Sequence, residues 1–347
     1  MKTCVFGAVT YDEAMTTHEQ SSPDRRISVV VGVPADKHVI GAIKNVDSTI
    51  DVRHDRPLDP AALRRMLVQA EVIFGIPAGT PAQLKELLDG NAGLRWVHAT
   101  NQDELERLQN ADLSDETRER IQLTGPGGSH AAALAEFAML GLLTFAKQGQ
   151  KAKPGTCASP GTDRPSELAG QTLLVVGLGR VGAEVARLGK AFGMRVMAMT
   201  RTGNGQAPHV DELRPARFLG DMLPVSHAVV LALPQNEQTT GLLGTGAIRK
   251  MRHDAILVNV GHGGVLDGQA LIEGLEQGQP AAVLLDAYSA AQLPGDSALR
   301  SMPNVLISPH AAADTRQENA RNTERFTANL RRYLRGERLS GLVLPTA

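Results

Sequence analysis

The sequence has little of what marks secreted, membrane-bound or nucleic-acid-binding proteins. Two cysteines among 347 residues make neither a disulfide framework nor a cysteine-rich zinc site. The formal net charge of −1 gives no field to attract nucleic acid or an anionic membrane. One Trp, three Tyr and seven Phe leave little aromatic surface for stacking on bases. These absences predict a cytoplasmic protein with a small-molecule partner and with neither a nucleic-acid nor a membrane partner.

Long hydrophobic runs are also missing. No stretch of about 18 apolar residues occurs, so the sequence offers no membrane-spanning helix. The apolar run at Cys4–Val9 is short and turns polar at Tyr11–Glu13, which is typical of a first β-strand rather than a signal peptide. In contrast, 35 Gly, 19 Pro and 42% hydrophobic residues suit many strand–turn–helix junctions around sizeable cores. The length predicts two domains.

Short β-rich runs alternate with segments of helical apolar spacing along the chain. This pattern is typical of parallel sheets with crossover helices, and it predicts an α/β fold. The predicted strands are Cys4–Val9, Ile27–Val33, Val72–Ile76, Leu94–Ala99, Leu173–Val176, Arg195–Met199, Ala228–Leu233, Ala255–Val260, Ala282–Leu285 and Val305–Ile307.

One predicted helix is apolar on nearly every side. It runs from His130 to Lys147, with Ser129 as its expected cap, and such a helix should be buried on all faces. The Pro-, Gly- and Ser-rich segment Gln150–Ser166 that follows is expected to be a loop or linker. Near the C-terminus, Phe326 and Leu330 are four residues apart, which predicts a docked amphipathic helix.

A glycine-rich loop carries the clearest functional signal. It follows a predicted strand and opens a predicted helix, which is the context that a G-x-G-x-x-G dinucleotide motif requires. The first glycine permits the tight turn, the second lets a pyrophosphate approach the backbone, and the third lets helix and strand pack closely. The alternative is a purely structural glycine turn. The motif residues are Gly177, Leu178, Gly179, Arg180, Val181 and Gly182.

The end of the next strand should select the cofactor. An acidic residue there would bind the ribose 2′-OH of NAD, but the chain has Thr200, Arg201 and Thr202. Arg201 can pair with a 2′-phosphate, and either threonine can hydrogen-bond it. We therefore expect NADP as cofactor, with NAD possible. The alternative is that Arg201 is an ordinary solvated loop residue.

A series of short motifs between Trp96 and His310 follows the order found in one known family. By these motifs the chain resembles the D-isomer-specific 2-hydroxyacid dehydrogenases. The matching segments are Val97–Thr100, Ser129–Ala131, Leu168–Leu173, Gly177–Gly182, Ala191–Met194, Leu231–Pro234, Leu257–Val260, Gly263–Asp267, Leu285–Tyr288 and Pro303–His310.

The resemblance implies two α/β domains, a Rossmann-type doubly wound parallel sheet inserted into a smaller flavodoxin-like substrate domain. It places the substrate domain at residues 1–126 and 313–347. The dinucleotide-binding domain would span 127–312, including an interdomain helix at 130–147. Because that helix usually helps to build a homodimer in the family, a homodimer is expected.

The resemblance also implies a hydride transfer between nicotinamide and C2 of a 2-hydroxy acid. The family uses an Arg on the substrate carboxylate, a His as acid/base and a Glu that holds this His. His310 matches the acid/base, whereas the Arg position holds His262 and the Glu position holds Ala291. A neutral imidazole is a poor substitute for a guanidinium fork. We therefore expect a divergent member for which ordinary 2-hydroxy acids are poor substrates.

Further site residues follow from the same resemblance. The loop after the Ala-Thr motif departs from the glycine-containing loop whose N–H groups hold the carboxylate in the family, and its Asp103 and Glu104 would repel an anion unless they point away. The remaining expected cofactor contacts are Leu233, Pro234, Val260, Gly261 and Asp286. The expected substrate contacts are Asn101, Gln102 and Tyr288, although Tyr288 could simply be a packing residue.

Three functions remain open on the sequence alone. The first is an NAD(P)-dependent oxidoreductase acting on a small hydroxyl or carbonyl compound, with His310 and His262 at its centre. The second is an enzyme that uses a bound nicotinamide for redox-neutral elimination or bond cleavage. The third is a non-catalytic nucleotide-binding homologue, in which His310 is merely structural. A metal site on His262 and His310 is not expected, because no third potential ligand lies at a sequence spacing typical of a metal site.

Overall fold

A computed structural model describes residues 26–54, 60–77, 79–149, 164–288, 293–309 and 311–343. Within these ranges, no helix is both long and apolar enough to cross a membrane. The strands are β1 (Ile27–Val31), β2 (Ile50–Arg53), β3 (Val72–Phe74), β4 (Trp96–His98), β5 (Gln122–Thr124), β6 (Thr172–Val176), β7 (Arg195–Thr200), β8 (Glu212–Pro215), β9 (Ala228–Leu231), β10 (Ile256–Asn259), β11 (Ala282–Leu285) and β12 (Val305–Ile307). The helices are α1 (Lys37–Lys44), α2 (Pro60–Leu67), α3 (Pro81–Asp89), α4 (Gln102–Gln109), α5 (Asp115–Arg120), α6 (Ala131–Ala146), α7 (Arg180–Ala191), α8 (Leu219–Met222), α9 (Thr245–Ile248), α10 (Gly268–Glu276) and α11 (Arg316–Leu334).

The first compact unit consists of the described residues up to Gly127 and from Asn322 onward. Its five strands are all parallel, in the order β2-β1-β3-β4-β5, which is the flavodoxin-like order. Leu84 of α3 packs with Ile73 on one face of the sheet, and Phe326 of α11 packs with Val29 on the other. Both faces are therefore covered, as the nearly continuous apolar strands require.

The second compact unit spans residues 128–321 and contains a seven-stranded parallel sheet. Its order is β12-β11-β10-β9-β6-β7-β8. If the order is read from β8 and β6 is counted as strand 1, this is the Rossmann order 3-2-1-4-5-6, with β12 as one more strand at the far edge. The chain runs outward from β6 to β8 and then returns to pair β9 with the other side of β6. A topological switch point therefore lies between β6 and β9, where sheets of this type bind ligands.

These two sheets confirm the predicted α/β fold class. The units change at 127/128 and, inside α11, at 321/322. The resemblance placed the domain limits at 126/127 and 312/313, and those limits stay predictions. The interdomain role of the helix at 130–147 and the homodimer also stay predictions.

The apolar helix α6 departs from expectation at its first turn. The N-cap is His130, without a side-chain hydrogen bond, so the expected cap by Ser129 is wrong. The Ser129 hydroxyl instead donates to Glu318 Oε1 at 2.7 Å. The expected burial on all faces is also incomplete, since Glu136 and Leu140 form an exposed stripe one turn apart. The other faces of α6 pack on α7 and on β10 and β11.

Three edge strands are absent from the predicted set. They are β2, β5 and β8, each at the outside of its sheet, and they carry polar residues such as Asp51, Gln122 and Glu212. An edge strand with one neighbour does not need the continuous apolar run by which buried parallel strands are recognised.

The predicted strand Cys4–Val9 and most of the linker Gln150–Ser166 lie outside the described residues. The docked C-terminal helix is confirmed, because Phe326 and Leu330 of α11 are fully buried.

His98 is a buried core histidine of the first unit. Its Nδ1 lies 2.7 Å from Thr124 Oγ1 and its Nε2 lies 3.0 Å from Asn322 Oδ1. Its ring stacks on Phe74 with the two planes 4° apart. Burial lowers the pKa of His98 to about 4, helped by the charge of Arg325. His98 is therefore neutral at pH 7 and holds three elements together.

We predict that the first unit loses stability in mild acid because of His98. The unfolded chain takes up the proton near the reference pKa of 6.5, whereas the folded chain resists it down to about 4. Stability contributed by the neutral ring is therefore present above pH 6.5 and falls by about 3 kcal/mol as the pH approaches 4. Urea unfolding between pH 7 and 4 measures this slope, which should become shallower in His98→Gln. The exposed His38→Gln is the control, and an unchanged slope in His98→Gln would contradict the assignment.

Candidate functional site

The candidate site lies where β6, β9, β10 and β11 end on the same edge of the second sheet. Because these strands are parallel and adjacent, the loops that follow them lie side by side. All four loops contain residues that the sequence analysis assigned to the cofactor: Gly177–Gly182, Leu233 and Pro234, Val260 and Gly261, and Asp286.

The glycine loop after β6 is shaped by contacts between backbones. Gly177 has φ +99°, a left-handed conformation that favours glycine, and its N–H donates to Met199 O at 3.0 Å. A Cβ on Gly182 would collide with the carbonyl oxygen of Gly177. Helix α7 can therefore begin this close to the loop only with glycine at 182.

Gly179 differs from these two glycines because space is open around it. It is the N-cap of α7, in extended backbone conformation and with no side chain capping the helix, and a Cβ built there would meet no atom within 4 Å. The first turn of α7 thus presents N–H groups and the positive end of its dipole to open space. This is the geometry that a dinucleotide pyrophosphate requires, so the loop fits the cofactor.

Other members of the motif line the same loop. Leu178 and Val181 pack against the apolar core below it. The side chain of Arg180 lies against the backbone of Gly128, where a Cβ would collide with it. Burial lowers the pKa of the nearby His130, and the charge of Arg180 acts in the same direction. A neutral imidazole and a guanidinium therefore flank the start of α7.

The loops after β9 and β10 contact each other through their backbones. A Cβ on Gly261 would lie 2.6 Å from Leu233 O and 2.7 Å from Leu233 N, so only glycine fits. His262 N donates to Leu233 O at 3.0 Å, and Val260 N donates to Leu231 O at 3.1 Å. Pro234 O accepts the hydroxyl of Thr239 at 2.7 Å. These contacts fix the main chain on both sides of His262.

Asn259 is a site residue that the sequence analysis did not single out. Its side chain is buried and its Nδ2 donates to His262 O at 3.2 Å and to Ala287 O at 3.3 Å. Its Oδ1 accepts Gly261 N at 3.1 Å. One amide therefore ties the loop after β10 to the loop after β11. The available signal was a polar residue at the end of an otherwise apolar strand.

Asp286 makes a similar connection one strand further along. Its carboxylate is buried and accepts Ser308 Oγ at 2.6 Å and Ala312 N at 3.2 Å. Asp286 therefore holds one residue before and one residue after position 310 in the chain. Ser308 was also missed as a site residue. His310 and Ala291 lie outside the described residues, and the assignment of Asp286 to the cofactor stays a prediction.

The end of β7 presents a cation where cofactor selection is expected. Arg201 is exposed and, in the described ranges, has neither a hydrogen bond nor an ion-pair partner. Thr200 Oγ1 accepts Gly203 N at 2.9 Å, and Thr202 bridges to Pro215. The carboxylate of Glu212, the nearby acidic residue of β8, is already paired with arginines.

The expected substrate residues are distributed over both units. In the first, Asn101 caps α4 and Gln102 donates to Glu106 Oε1 at 3.1 Å. In the second, Tyr288 is partly buried beside a small apolar pocket that also touches Leu266 and Leu299. Their roles toward a substrate stay predictions. Among the described side chains, no three His, Cys, Asp or Glu are grouped as a metal site would need.

Comparison with known proteins places this geometry in a family. The model for the NAD-binding domain of D-isomer specific 2-hydroxyacid dehydrogenases matches residues 137–312. The chain belongs to the D-isomer-specific 2-hydroxyacid dehydrogenase family. The glyoxylate reductase of Aeropyrum pernix is 33% identical to it over 241 residues, which cover 66% of this chain and 71% of that enzyme.

Solved structures of the same family share the fold. A family protein from Aeromonas salmonicida superposes with a TM-score of 0.74 at 24% identity, covering 92% of this chain and 99% of that one. A D-isomer specific 2-hydroxyacid dehydrogenase from Xanthobacter autotrophicus Py2, in complex with NADPH and MES, gives a TM-score of 0.73 at 24% identity, covering 92% and 98%. This 2-hydroxyacid dehydrogenase-family chain is thus a nicotinamide-dependent oxidoreductase with a small-molecule substrate.

We predict that Gly179→Val abolishes binding of both NAD and NADP without unfolding the chain. The folded protein has room for the added side chain, but the side chain fills the space through which a pyrophosphate must approach α7. Fluorescence titration with each cofactor measures the loss.

Two variants serve as controls for Gly179→Val. Gly41→Val also adds a side chain in open space, on α1 of the first unit, and should bind the cofactor normally. Gly182→Ala should instead lower the melting temperature, because its Cβ meets backbone. Unchanged cofactor affinity in Gly179→Val would remove the proposed pyrophosphate site.

Proposed function

We propose that this chain is an NADP-preferring reductase or dehydrogenase for a small carbonyl or hydroxyl compound other than an ordinary 2-hydroxy acid. The proposal of a dinucleotide cofactor rests on the uncapped start of α7 at Gly179, which faces open space at the switch point. The proposal about the substrate rests on His262, which occupies the position of the family's arginine. The expected cytoplasmic location and homodimer remain predictions.

The cofactor would be held by three groups of residues. The first-turn N–H groups of α7 would take the pyrophosphate, and Arg201 with Thr200 or Thr202 would take the 2′-phosphate. The loops at Leu233 and Gly261, which contact each other through their backbones, would support the rest of the dinucleotide. When bound, the nicotinamide supplies or accepts the hydride.

By the family resemblance, His262 takes the position of the arginine that binds a substrate carboxylate. A guanidinium binds a carboxylate with two parallel hydrogen bonds and is charged at every working pH, whereas an imidazole ordinarily loses its charge near pH 6.5 and then keeps a single N–H donor. The main chain at His262 is fixed by Leu233 O and by the Asn259 amide. The main chain therefore holds His262 at a fixed place in the site. Because a histidine binds a carboxylate more weakly than an arginine does, His262 favours substrates without a carboxylate.

His310 is the proposed acid/base. The family resemblance assigns it to the proton of the reacting hydroxyl, and Ala291 stands where a carboxylate would orient it. Within the described chain, the buried Asp286 carboxylate holds the residues on both sides of His310 through Ser308 and Ala312. We propose that this connection supports His310 in place of a direct carboxylate partner.

A second candidate is a redox-neutral enzyme that keeps its nicotinamide bound through elimination or bond cleavage. The combination of a fitting cofactor loop with altered residues at 262 and 291 motivates it, and the same two altered residues also suit a non-catalytic nucleotide sensor. Mass spectrometry of the protein as purified distinguishes them, since a retained dinucleotide supports the redox-neutral enzyme. Binding without turnover across alcohols and carbonyls would instead indicate a non-catalytic homologue.

We predict that Arg201→Ala weakens NADP binding by about 10- to 150-fold, corresponding to about 1.5–3 kcal/mol for charge-assisted hydrogen bonds. NAD binding should change little, because it lacks the 2′-phosphate. Titration of both cofactors measures the difference, with the exposed Arg249→Ala as control. Equal losses for both cofactors, or a wild-type preference for NAD, would mean that Arg201 is an ordinary loop residue.

We also predict poor turnover of glyoxylate, hydroxypyruvate and lactate with either cofactor at every pH from mildly acidic to alkaline. If His262 merely replaced the arginine as a weaker cation, turnover would instead rise as the pH falls below about 6.5. Steady-state kinetics decide the matter. A kcat/KM of about 10⁴ M⁻¹s⁻¹ or more for any of these acids would refute the divergent substrate class.

The double variant His262→Arg with Ala291→Glu tests which positions cause the divergence. Restored reduction of 2-keto acids would assign it to these two residues. No gain would assign it to the loop Asn101–Leu105 in the first unit.

A further inference from the structure

A second cation without a partner lies near Arg201, beside the edge strand β8 of the second sheet. Arg217 is exposed, and no carboxylate among the described residues forms an ion pair with it. Asp221 follows four residues later, at the spacing of a helical ion pair, and is still not paired with it. Arg217 was not singled out from the sequence.

The backbone of Pro215 connects the segments that carry these two arginines. Arg201 lies between two threonines at the end of β7. Thr200 and Thr202 both pair with Pro215. Arg217 follows Pro215 by two residues, in the single helical turn that comes directly after β8. The two arginines therefore leave the main chain from segments that are in direct contact.

An aromatic ring lies against the guanidinium of Arg217. Its Cζ is 4.8 Å from the centre of the Phe218 ring, and the Cζ of Arg214 is 5.5 Å from the same centre. Both distances are within the range of a cation–π interaction. Arg214 is also paired with Glu212, which in turn binds Arg195. Phe218 therefore restricts where the Arg217 guanidinium lies without neutralising its charge.

The order of the strands determines which part of a dinucleotide would reach these cations. From β6, whose loop fits the pyrophosphate, the sheet continues outward to β7 and then to β8. In a Rossmann sheet the 2′ position of the adenine ribose lies at the end of the strand that corresponds to β7. A 2′-phosphate there would have Arg201 on β7 and Arg217 on the side of β8. A phosphate monoester carries nearly two negative charges and three acceptor oxygens, so it can bind two guanidiniums at once.

We propose that Arg217 is a second specificity-determining residue for NADP and binds the 2′-phosphate together with Arg201. Phe218 is a positioning residue that holds the Arg217 guanidinium beside this phosphate. The proposal rests on the NADP preference proposed above and deepens it. Selection of the cofactor then depends on the segment after β8 as well as on the end of β7.

Calorimetric titration with 2′,5′-ADP and 5′-AMP tests Arg217 without catalysis, because these nucleotides differ only in the 2′-phosphate. Arg217→Ala should weaken binding of 2′,5′-ADP at least fivefold and leave binding of 5′-AMP within twofold of wild type. Arg249→Ala, which removes another exposed arginine, should leave both affinities unchanged. Equal affinities of Arg217→Ala and wild type for 2′,5′-ADP would overturn the proposal.

Phe218→Leu tests the positioning role. Leucine keeps an apolar side chain but offers no aromatic face to the guanidinium. The change should weaken 2′,5′-ADP binding severalfold in the wild-type background and cause no further loss in Arg217→Ala. Equal losses in both backgrounds would mean that Phe218 does not act through Arg217, which would overturn its assignment as a positioning residue.

The titration of the bound 2′-phosphate gives an independent readout. A free phosphate monoester loses its second proton at about pH 6, and nearby guanidiniums favour the dianion. Phosphorus NMR of bound NADP should therefore show the dianion persisting to a lower pH in wild type than in Arg217→Ala. A phosphorus titration that Arg217→Ala leaves unchanged would contradict direct contact.

The same titrations separate this proposal from the cofactor preference on which it rests. If wild type binds NAD as tightly as NADP, the preference fails and the proposal fails with it. If wild type prefers NADP and only Arg201→Ala removes this preference, the preference stands and the role of Arg217 is overturned. A loss of NADP affinity in each single variant, with a larger loss in the double variant, supports both.

Discussion

Close contact between backbones at the ends of β6, β9 and β10 is the constraint on which the candidate site depends. Gly182 lies against the carbonyl oxygen of Gly177, and Gly261 lies against the backbone of Leu233. A Cβ at either glycine would push apart loops that adjacent parallel strands bring together. Backbone atoms therefore occupy the space beside Gly182 and Gly261. The space beside Gly179 is open, so a ligand can approach the start of α7 there.

Buried polar side chains then fix the chemistry-bearing segments to this rigid edge. The Asn259 amide joins the loop at His262 to the loop at Ala287, and the Asp286 carboxylate holds Ser308 and Ala312. A buried carboxylate or amide with satisfied hydrogen bonds defines a geometry that apolar packing alone leaves loose. The cofactor loops thus have the geometry that a dinucleotide requires, and the divergence that we propose concerns the side chains that these loops carry.

The sequence predicts local elements well and contacts between distant residues poorly, for physical reasons. Apolar runs and the glycine motif are local signals, so the strands around β6 and the start of α7 follow from them. Edge strands such as β8 carry no such pattern. The role of Ser129 depends on Glu318, 189 positions away. The inward turn of Glu104, whose carboxylate accepts Ile76 N, depends on a residue 28 positions away, and the loop sequence alone left open whether Glu104 repels an anion or points away. Contacts of this range leave no trace in spacing.

We propose that this dehydrogenase-family chain transfers hydride between NADP and a carbonyl or hydroxyl compound that lacks an adjacent carboxylate. The most direct measurement is a competition in which NADPH with deuterium at both C4 positions is incubated with the protein and equal amounts of glyoxylate and propanal, an aldehyde without a carboxylate, followed by mass spectrometry of the products. Deuterium is expected on C1 of propanol, with little in glycolate. Deuterium found chiefly in glycolate, or in neither product while NADPH is bound, would contradict it.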